Sequence, residues 1–300
     1  MTARTYGTPE SFKMALEQRL RASSTTGLDF TRRRQLLVFD RFLARVTAVM
    51  GNAAILKGGL VIEFRIERAR TTKDIDLRLD GSPGDVLDRL REAGRLDLGD
   101  FMRYEANLDR DHPDIRNEGM RYNGLRHRVE AKLAGKVFGQ PFGVDVAFGD
   151  PILGEPDIVV AGDTLGFAGI EPPTLRLYPI ESQIAEKLHA YTMPRERQNS
   201  RVKDLPDLAL LATVREIDGA KLRLALERTF DYRDTHALPA SIPEPPASWA
   251  AVYERMVGED DLRWRTLPDL LAAVRAFLDP VLANAPAGQW TPPLWGWHSA

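Results

Sequence analysis

The run from residue 57 to residue 77 constrains the fold of this chain more than any other stretch. It begins at a Gly58-Gly59 pair, continues through a helix-like segment, and ends in an apolar segment that carries Asp74 and Asp76. In a β-strand, side chains two residues apart point to the same face of the sheet. The run therefore predicts a glycine turn, a short helix, and a strand that presents two carboxylates side by side.

This pairing of features indicates a type of chemistry. Two carboxylates so close together repel each other unless a cation lies between them, and hard cations such as Mg²⁺ prefer oxygen ligands. A helix that begins with glycines exposes backbone N–H groups, which can bind phosphate. A carboxylate pair beside a glycine turn therefore suggests phosphoryl or nucleotidyl transfer.

Composition limits the other classes that the chain can belong to. Its 300 residues are 43% hydrophobic and 28% charged, values that are typical of a globular protein. There is no cysteine, which excludes disulfides and thiolate metal sites. The sequence has neither an apolar run of the roughly 20 residues that a transmembrane helix needs nor an N-terminal signal-like stretch. We therefore expect a cytoplasmic protein with no membrane association, and the net charge of −2 gives no overall argument for nucleic-acid binding.

Hydrophobic periodicity predicts an α+β fold in which a mixed sheet precedes a helical region. Strands are predicted at 73–79, 101–108, 122–134 and 142–148, and helices at 11–22, 31–50, 59–68, 85–93, 179–193, 202–214, 219–230, 249–256 and 267–282. Thr31 or Asp29 is the expected cap of the second helix. We place the boundary between two domains, 1–160 and 161–300, near residue 160. The tryptophan-rich tail after residue 284 either packs on the body or is mobile.

A third acidic residue, Asp145, lies between two valines on the last predicted strand. A carboxylate in an apolar strand is costly to bury unless it is paired or binds a metal. If this strand lies beside the strand of Asp74 and Asp76, three carboxylates converge, the minimum set for two-metal catalysis. The alternative is that Asp145 forms a salt bridge with a neighbouring arginine.

Four motifs, in order along the chain, carry a resemblance to a known family. They are Lys57-Gly58-Gly59, then Arg70-Thr71-Thr72-Lys73-Asp74-Ile75-Asp76-Leu77, then Val144-Asp145-Val146, and a later pair of segments, Ile184-Ala185-Glu186-Lys187-Leu188-His189-Ala190 and Arg201-Val202-Lys203-Asp204-Leu205-Pro206-Asp207-Leu208. Together they closely resemble the AbiEii/MenT-like nucleotidyltransferase toxins of the DNA polymerase beta-like superfamily. The resemblance covers residues from about 56 to 210.

The resemblance implies a nucleotidyltransferase domain with a mixed sheet, followed by a helical domain that completes the cleft. Members transfer a nucleotide from an NTP to an acceptor and use Mg²⁺, with Mn²⁺ as the alternative metal. In the best understood toxins the acceptor is the 3′ end of tRNA, whose modification stops aminoacylation and translation. A cognate antitoxin is usually encoded alongside.

The resemblance also assigns roles to residues. Asp74, Asp76 and Asp145 would bind the metals, and Lys187 would reach the nucleotide phosphates. Asp204 would orient Lys187 or a nearby arginine, although it could instead be an ordinary first-turn acid of its helix. The expected nucleotide-binding residues are Lys57, Gly58, Gly59, Arg70, Thr72 and Lys187.

One position departs from the superfamily. Members commonly carry Ser or Thr after the two glycines, and this chain has Leu60. This leaves open a second hypothesis, a catalytically inactive nucleotide-, RNA- or protein-binding protein on the same fold. A third is an active nucleotidyltransferase with a small-molecule or protein acceptor.

Recognition of an RNA acceptor requires a positive surface. Two clusters of basic residues are candidates, although runs of charge are often only solvated helix faces. They are Arg32-Arg33-Arg34, and the group Arg195, Arg197, Arg201 and Lys203.

Overall fold

A computed structural model describes residues 5–66, 72–80, 83–110, 114–115, 124–148, 152–195, 201–260, 262–283 and 288–299. Within these ranges the α-helices are α1 (Pro9–Ala22), α2 (Gly27–Met50), α3 (Gly58–Arg65), α4 (Val86–Arg95), α5 (Ile180–Thr192), α6 (Asp204–Leu211), α7 (Gly219–Arg233), α8 (Trp249–Asp260) and α9 (Leu267–Leu282). The strands are β1 (Ala54–Lys57), β2 (Asp74–Leu79), β3 (Met102–Leu108), β4 (Asp114–Ile115), β5 (Gly124–Leu133), β6 (Lys136–Val137), β7 (Phe142–Phe148), β8 (Asp157–Val160), β9 (Thr174–Leu177), β10 (Ile217–Asp218), β11 (Gln289–Thr291) and β12 (Gly296–His298).

The larger sheet is mixed, and its strands follow the order β3-β5-β7-β2-β1-β9-β8, with β4 and β6 also paired to β5. The β2–β7 and β1–β9 pairs are parallel, and the others are antiparallel. Both predicted strands that carry the acids, β2 and β7, are therefore neighbours at the centre of the sheet. The predicted α+β fold class is confirmed.

Helices α1, α2 and α4 contribute to the core that covers one face of this sheet. Alternation explains the arrangement, since Ile75, Leu77 and Leu79 of β2 are buried while the residues between them are partly exposed. The predicted cap of α2 is wrong. Thr26 is the cap, because its hydroxyl accepts a hydrogen bond from the Asp29 amide while the Asp29 carboxylate accepts one from the Thr25 amide.

A second core lies among α5–α9 and the chain terminus. The terminal tryptophans join it, because β11 and β12 form a small sheet with β10. Trp290 is fully buried, and its indole N–H donates to the carbonyl of Ala212 at 2.8 Å. The described part of the tail therefore packs on the helical region.

The transition from sheet to helices is gradual in sequence. Strand β9 begins at Thr174 and pairs with β1, so chain beyond residue 160 belongs to the large sheet. The proposed boundary near residue 160 remains a prediction. None of the helices in the described ranges combines the length and apolar character required to cross a bilayer.

Candidate active site

A pocket of about 200 Å³ is lined both by strands of the large sheet and by the helices that follow it. Its wall is densely charged. The acidic lining residues are Asp76, Asp145, Glu186 and Asp204, and the basic ones are Lys57, Lys187, Arg195, Arg201 and Arg233. Such a lining suits a ligand that brings both cationic and anionic groups.

The acidic side of the pocket follows from strand register. Asp76 of β2 is paired with Asp145 of β7 on one side and with Lys57 of β1 on the other. Burial, and next the charge of Asp145, raise the pKa of Asp76 to about 6. This carboxylate therefore bears an electrostatic cost that a bound cation would relieve.

Gly58 makes the position of Asp76 possible. Its φ of +70° lies in the left-handed region, and a Cβ there would lie 1.9 Å from Oδ2 of Asp76. The Gly58 carbonyl accepts a hydrogen bond from Nε2 of Gln183 at 2.8 Å, which ties this turn to α5. Glycine is required here by both backbone conformation and contact.

Asp74, two residues before Asp76 on β2, also lies against a glycine. Its Oδ1 accepts a hydrogen bond from the Gly143 amide at 3.1 Å, and a Cβ on Gly143 would lie 2.7 Å from the same oxygen. Asp74 is not among the pocket-lining residues found in the described chain. Asp74 and Asp76 nevertheless share one face of β2, as predicted from their spacing.

Asp145 is engaged by an arginine, as the alternative interpretation of the sequence had it. Nε and Nη2 of Arg126, on the neighbouring strand β5, each donate a hydrogen bond of 2.6 Å to a different carboxylate oxygen. These bonds raise the pKa of Arg126. Metal binding through Asp145 therefore requires this guanidinium to release or share the carboxylate.

Lys187 is held by two acids of α6. Its Nζ lies 2.6 Å from Oδ2 of Asp207 and 3.4 Å from Oδ1 of Asp204. Asp207 is fully buried and was missed as a site residue, although its position three residues after Asp204 on a helix places both on one face. Oδ2 of Asp204 is buried and has no hydrogen-bond partner among the described residues.

Glu186 links the two sides of the pocket. Its Oε1 accepts a hydrogen bond from Lys57 at 3.0 Å, and its Oε2 lies 3.6 Å from Nη2 of Arg233. The Lys57 ammonium also lies 4.8 Å from the ring centroid of Tyr178. Lys57 is thus placed by a carboxylate and an aromatic face, and neither Glu186 nor Arg233 was singled out from the sequence.

Two of the other predicted nucleotide-binding residues do not line the pocket. Gly59 and Thr72 are not among the described pocket-lining residues, and the Thr72 amide donates to Oε1 of Glu63 at 2.6 Å. Arg70 lies outside the described residues. Leu60 is fully buried in the core beneath the sheet, so in this chain the position after the two glycines serves packing.

The two basic clusters differ in their surroundings. Arg195 and Arg201 line the pocket, whereas Arg197 lies outside the described residues. Arg32 and Arg33 form ion pairs with Glu63 and Asp29 respectively. Of the two clusters, the one that contains Arg195 and Arg201 therefore contributes positive charge to the pocket, alongside Lys57, Lys187 and Arg233.

The residues present fit a hard divalent cation in part. The acids supply oxygen donors, and the pKa of Asp76 is raised by burial and by the neighbouring Asp145 carboxylate, an electrostatic cost that a bound cation would offset. Against this, no group of three acidic or histidine side chains arranged to hold a metal was found in the described ranges. Asp74 and Asp76 offer carboxylates on one face of β2, and Asp145 offers a third once Arg126 releases it.

Comparison with known proteins identifies the family. The model of the family described as "Nucleotidyl transferase AbiEii toxin, Type IV TA system" matches residues 41–280. The chain belongs to the AbiEii nucleotidyl transferase toxin family. As an AbiEii protein it is a nucleotidyltransferase, and the recognition made from its motifs is confirmed. No curated protein sequence matches it.

The AbiEii protein has the fold of one solved structure and is similar to a second. MenT4, a nucleotidyltransferase toxin from Mycobacterium tuberculosis H37Rv, is 16% identical with a TM-score of 0.52, over 88% of this chain and 99% of MenT4. JHP933 from Helicobacter pylori is also 16% identical, with a TM-score of 0.49, over 83% of this chain and 92% of JHP933. The likeness to MenT4 covers both the sheet and the helical region.

Proposed function

We propose that this AbiEii protein transfers a nucleotide from an NTP to the 3′ end of tRNA, in a reaction that depends on Mg²⁺, and thereby blocks translation. One observation carries the proposal: Asp76 lies opposite Asp145, above a glycine that leaves room for its carboxylate, in a pocket with five basic side chains. Acids for a metal and cations for polyphosphate are what nucleotidyl transfer needs in one place.

Asp74 and Asp76 are the residues that would hold Mg²⁺, or Mn²⁺ in its place, with Asp145 joining them after exchange of its arginine partner. A divalent cation there supplies charge neutralisation at the phosphates and activation of the attacking hydroxyl. The chain itself supplies room for these carboxylates. A Cβ on Gly58 or on Gly143 would clash with the Asp76 or the Asp74 carboxylate, so glycine at both positions lets the two acids lie where they do.

The phosphates have two candidate partners in the chain. Helix α3 begins at Gly58, which lines the pocket, and the backbone N–H groups at a helix N-terminus favour negative charge. The basic side chains of the opposite wall come from α5, α7 and the segment between α5 and α6. Lys187, anchored by Asp207, is the family-implied phosphate contact.

The acceptor and partners are inferred from the family. The description of the family as part of a type IV toxin–antitoxin system supports a cognate antitoxin. tRNA and NTPs are cytoplasmic, and we propose that the protein acts there. The acids retained in the pocket and the basic side chains that line it favour catalysis over the alternative of an inactive binding protein.

The test is transfer of label from each of four α-labelled NTPs to separated acceptor pools: total tRNA, other RNA, protein and small molecules. Label in the tRNA pool that depends on Mg²⁺ supports the proposal. If label appears only in another pool, the acceptor is not tRNA, although the protein still transfers nucleotides.

A further inference from the structure

A chain of hydrogen bonds among neutral side chains runs from the body of the helical region to Arg233 in the pocket wall. Its members are contributed by α5 and by the end of α7 and the residues that follow it. The contacts are Thr192 Oγ1 to the Leu188 carbonyl at 2.9 Å, His236 Nε2 to Thr192 Oγ1 at 2.8 Å, Thr235 Oγ1 to His236 Nδ1 at 2.9 Å, His189 Nε2 to Thr235 Oγ1 at 2.8 Å, and Arg233 Nη1 to His189 Nδ1 at 3.4 Å.

The direction of every bond in this chain is fixed by its two ends. At one end, a guanidinium only donates, so Nδ1 of His189 must accept from Arg233. Neutral His189 then carries its proton on Nε2 and donates to Thr235, whose own hydroxyl proton goes to Nδ1 of His236. At the other end, the Leu188 carbonyl only accepts, so Thr192 donates to it.

The two ends agree in the middle. Thr192 donates its hydroxyl proton to the carbonyl, so it must accept from Nε2 of His236. That nitrogen carries the proton of neutral His236, because Nδ1 accepts from Thr235. Both histidines are neutral in this arrangement. Burial, and next the charge of Arg233, lower the pKa of His189 to about 3, and burial lowers the pKa of His236.

A neutral anchor leaves the charge of Arg233 available. Lys187, in the same wall, lies between two carboxylates at 2.6 and 3.4 Å, so much of its charge is already compensated. Arg233 instead donates from Nη1 to an uncharged imidazole, and the one carboxylate oxygen near it among the described residues, of Glu186, lies 3.6 Å from its Nη2. A guanidinium held in this way can form charge-assisted bonds with an anion.

We propose that Arg233 is an anion-binding residue for the polyphosphate of the nucleotide, and that His189, Thr235 and His236 are positioning residues that orient it. This inference rests on the proposed function for the identity of the ligand, because the nucleotide supplies the polyphosphate. Arg233 lines the pocket that also contains Asp76 and Asp145, so an anion bound to it shares that cavity with the acids.

Two substitutions of His189 distinguish a role in orienting Arg233 from a role in folding. Asn places its amide oxygen near the position of Nδ1 and keeps an acceptor for Arg233, whereas Gln reaches the position of Nε2 and keeps only the contact with Thr235. Arg233→Gln removes the anion-binding charge itself. Arg228→Gln removes the same charge from an exposed position of the same helix and is the matched control.

The experiment measures binding of inorganic tripolyphosphate to the full chain by calorimetry, with thermal unfolding confirming that each variant folds. We expect Arg233→Gln to weaken binding by at least about tenfold, as loss of a charge-assisted contact predicts. We expect His189→Gln to weaken it more than His189→Asn, and Arg228→Gln to leave it unchanged. In label transfer, Arg233→Gln should raise the KM for NTP more than it lowers kcat.

The inference and the proposed function fail in different ways. Tripolyphosphate affinity that depends on Arg233 in a protein without transferase activity supports the inference and counts against the proposed reaction. Wild-type protein that does not bind tripolyphosphate, or Arg233→Gln that binds it as well as wild type and keeps the same KM, overturns the inference. Equal effects of the two His189 variants overturn the positioning role.

Discussion

Arg126 forms a two-bond ion pair with Asp145, with both nitrogen–oxygen distances at 2.6 Å. The pair spans neighbouring strands at a matched register position, and Asp145 in turn faces Asp76 across the next strand pair. The negative charge of Asp145, which would complete a three-carboxylate metal site, is therefore already compensated by Arg126. A guanidinium and a divalent cation compete for the same oxygens.

This competition predicts the effect of removing the arginine. Arg126→Ala should raise the affinity of the nucleotide-free protein for Mg²⁺ or Mn²⁺ several-fold, because Asp145 no longer has to release two charge-assisted hydrogen bonds of a partly exposed ion pair in order to bind the metal. Calorimetric titration with Mn²⁺ measures it. Arg128→Ala, which removes an exposed arginine two residues along the same strand, is the control. Unchanged or weaker binding in Arg126→Ala would show that Asp145 takes no part in binding the metal.

Gly58 should not tolerate a side chain. Gly58→Ala places a Cβ 1.9 Å from Oδ2 of Asp76, so the carboxylate must move and label transfer should fall by at least about a hundredfold, as misplacement of a reacting group by an ångström does. Gly99→Ala shares a positive φ, of +73°, but its Cβ meets nothing within 4 Å. It therefore carries only the backbone strain. Equal losses of activity in the two variants would mean that strain, and not the contact with Asp76, explains the requirement for glycine.

The raised pKa of Asp76 predicts how stability depends on pH. Its pKa rises from 3.8 to about 6 in the folded protein, so the folded state holds this proton more tightly. The stabilisation from protonated Asp76 is complete below the unfolded pKa and is lost as the pH rises through about 6. The free energy of unfolding of Asp76→Asn, which cannot ionise, should exceed that of wild type at about pH 8 by on the order of 3 kcal/mol, and the difference should shrink as the pH falls through about 6 and vanish below the unfolded pKa of about 4.

Urea unfolding with a metal chelator, across this pH range, measures the difference. Asp88→Asn, at a position whose side chain is 83% exposed, controls for loss of one negative charge. Wild type and Asp76→Asn with parallel stability profiles would contradict the electrostatic cost assigned to Asp76.

The two acids of α6 should differ in their contribution to stability. Asp207 is fully buried and lies 2.6 Å from Lys187, so Asp207→Asn leaves a largely buried ammonium without its nearest counter-ion and should cost about 2 kcal/mol. Asp204→Asn breaks only a 3.4 Å contact and should cost less. Denaturant unfolding of both variants makes the comparison. A larger loss in Asp204→Asn would reverse the assignment of the anchor.

Local patterns were sufficient to predict the acid strands. Strand β7 was predicted with the bounds that it has, and β2 within one residue, because alternation of buried and exposed residues is a property of a single strand. The Asp74–Asp76 face follows from the same period. That Asp76 lies beside Asp145 could be predicted only if β2 and β7 were assumed to be neighbours. The alternation of residues along a strand does not indicate which strands pair.

The features that sequence patterns did not predict depend on contacts between residues far apart along the chain. Strand β1 has four residues and ends at Lys57, so it offers almost no pattern, yet it pairs with both β2 and β9. The ion pair with Arg126 was foreseen only as an unnamed arginine. Arg233, which is 46 positions after Lys187, reaches the pocket through the packing of α5 against α7, which no local motif encodes.

The central claim is that the carboxylate of Asp76 belongs to the catalytic centre of a nucleotidyltransferase. The most direct test compares label transfer from α-labelled NTPs by wild type, Asp76→Asn and Asp88→Asn, with Mg²⁺ present and folding verified by unfolding curves. We predict transfer by wild type and Asp88→Asn, and a loss of at least about a thousandfold in Asp76→Asn. Transfer by a folded Asp76→Asn protein at the wild-type rate would contradict the claim.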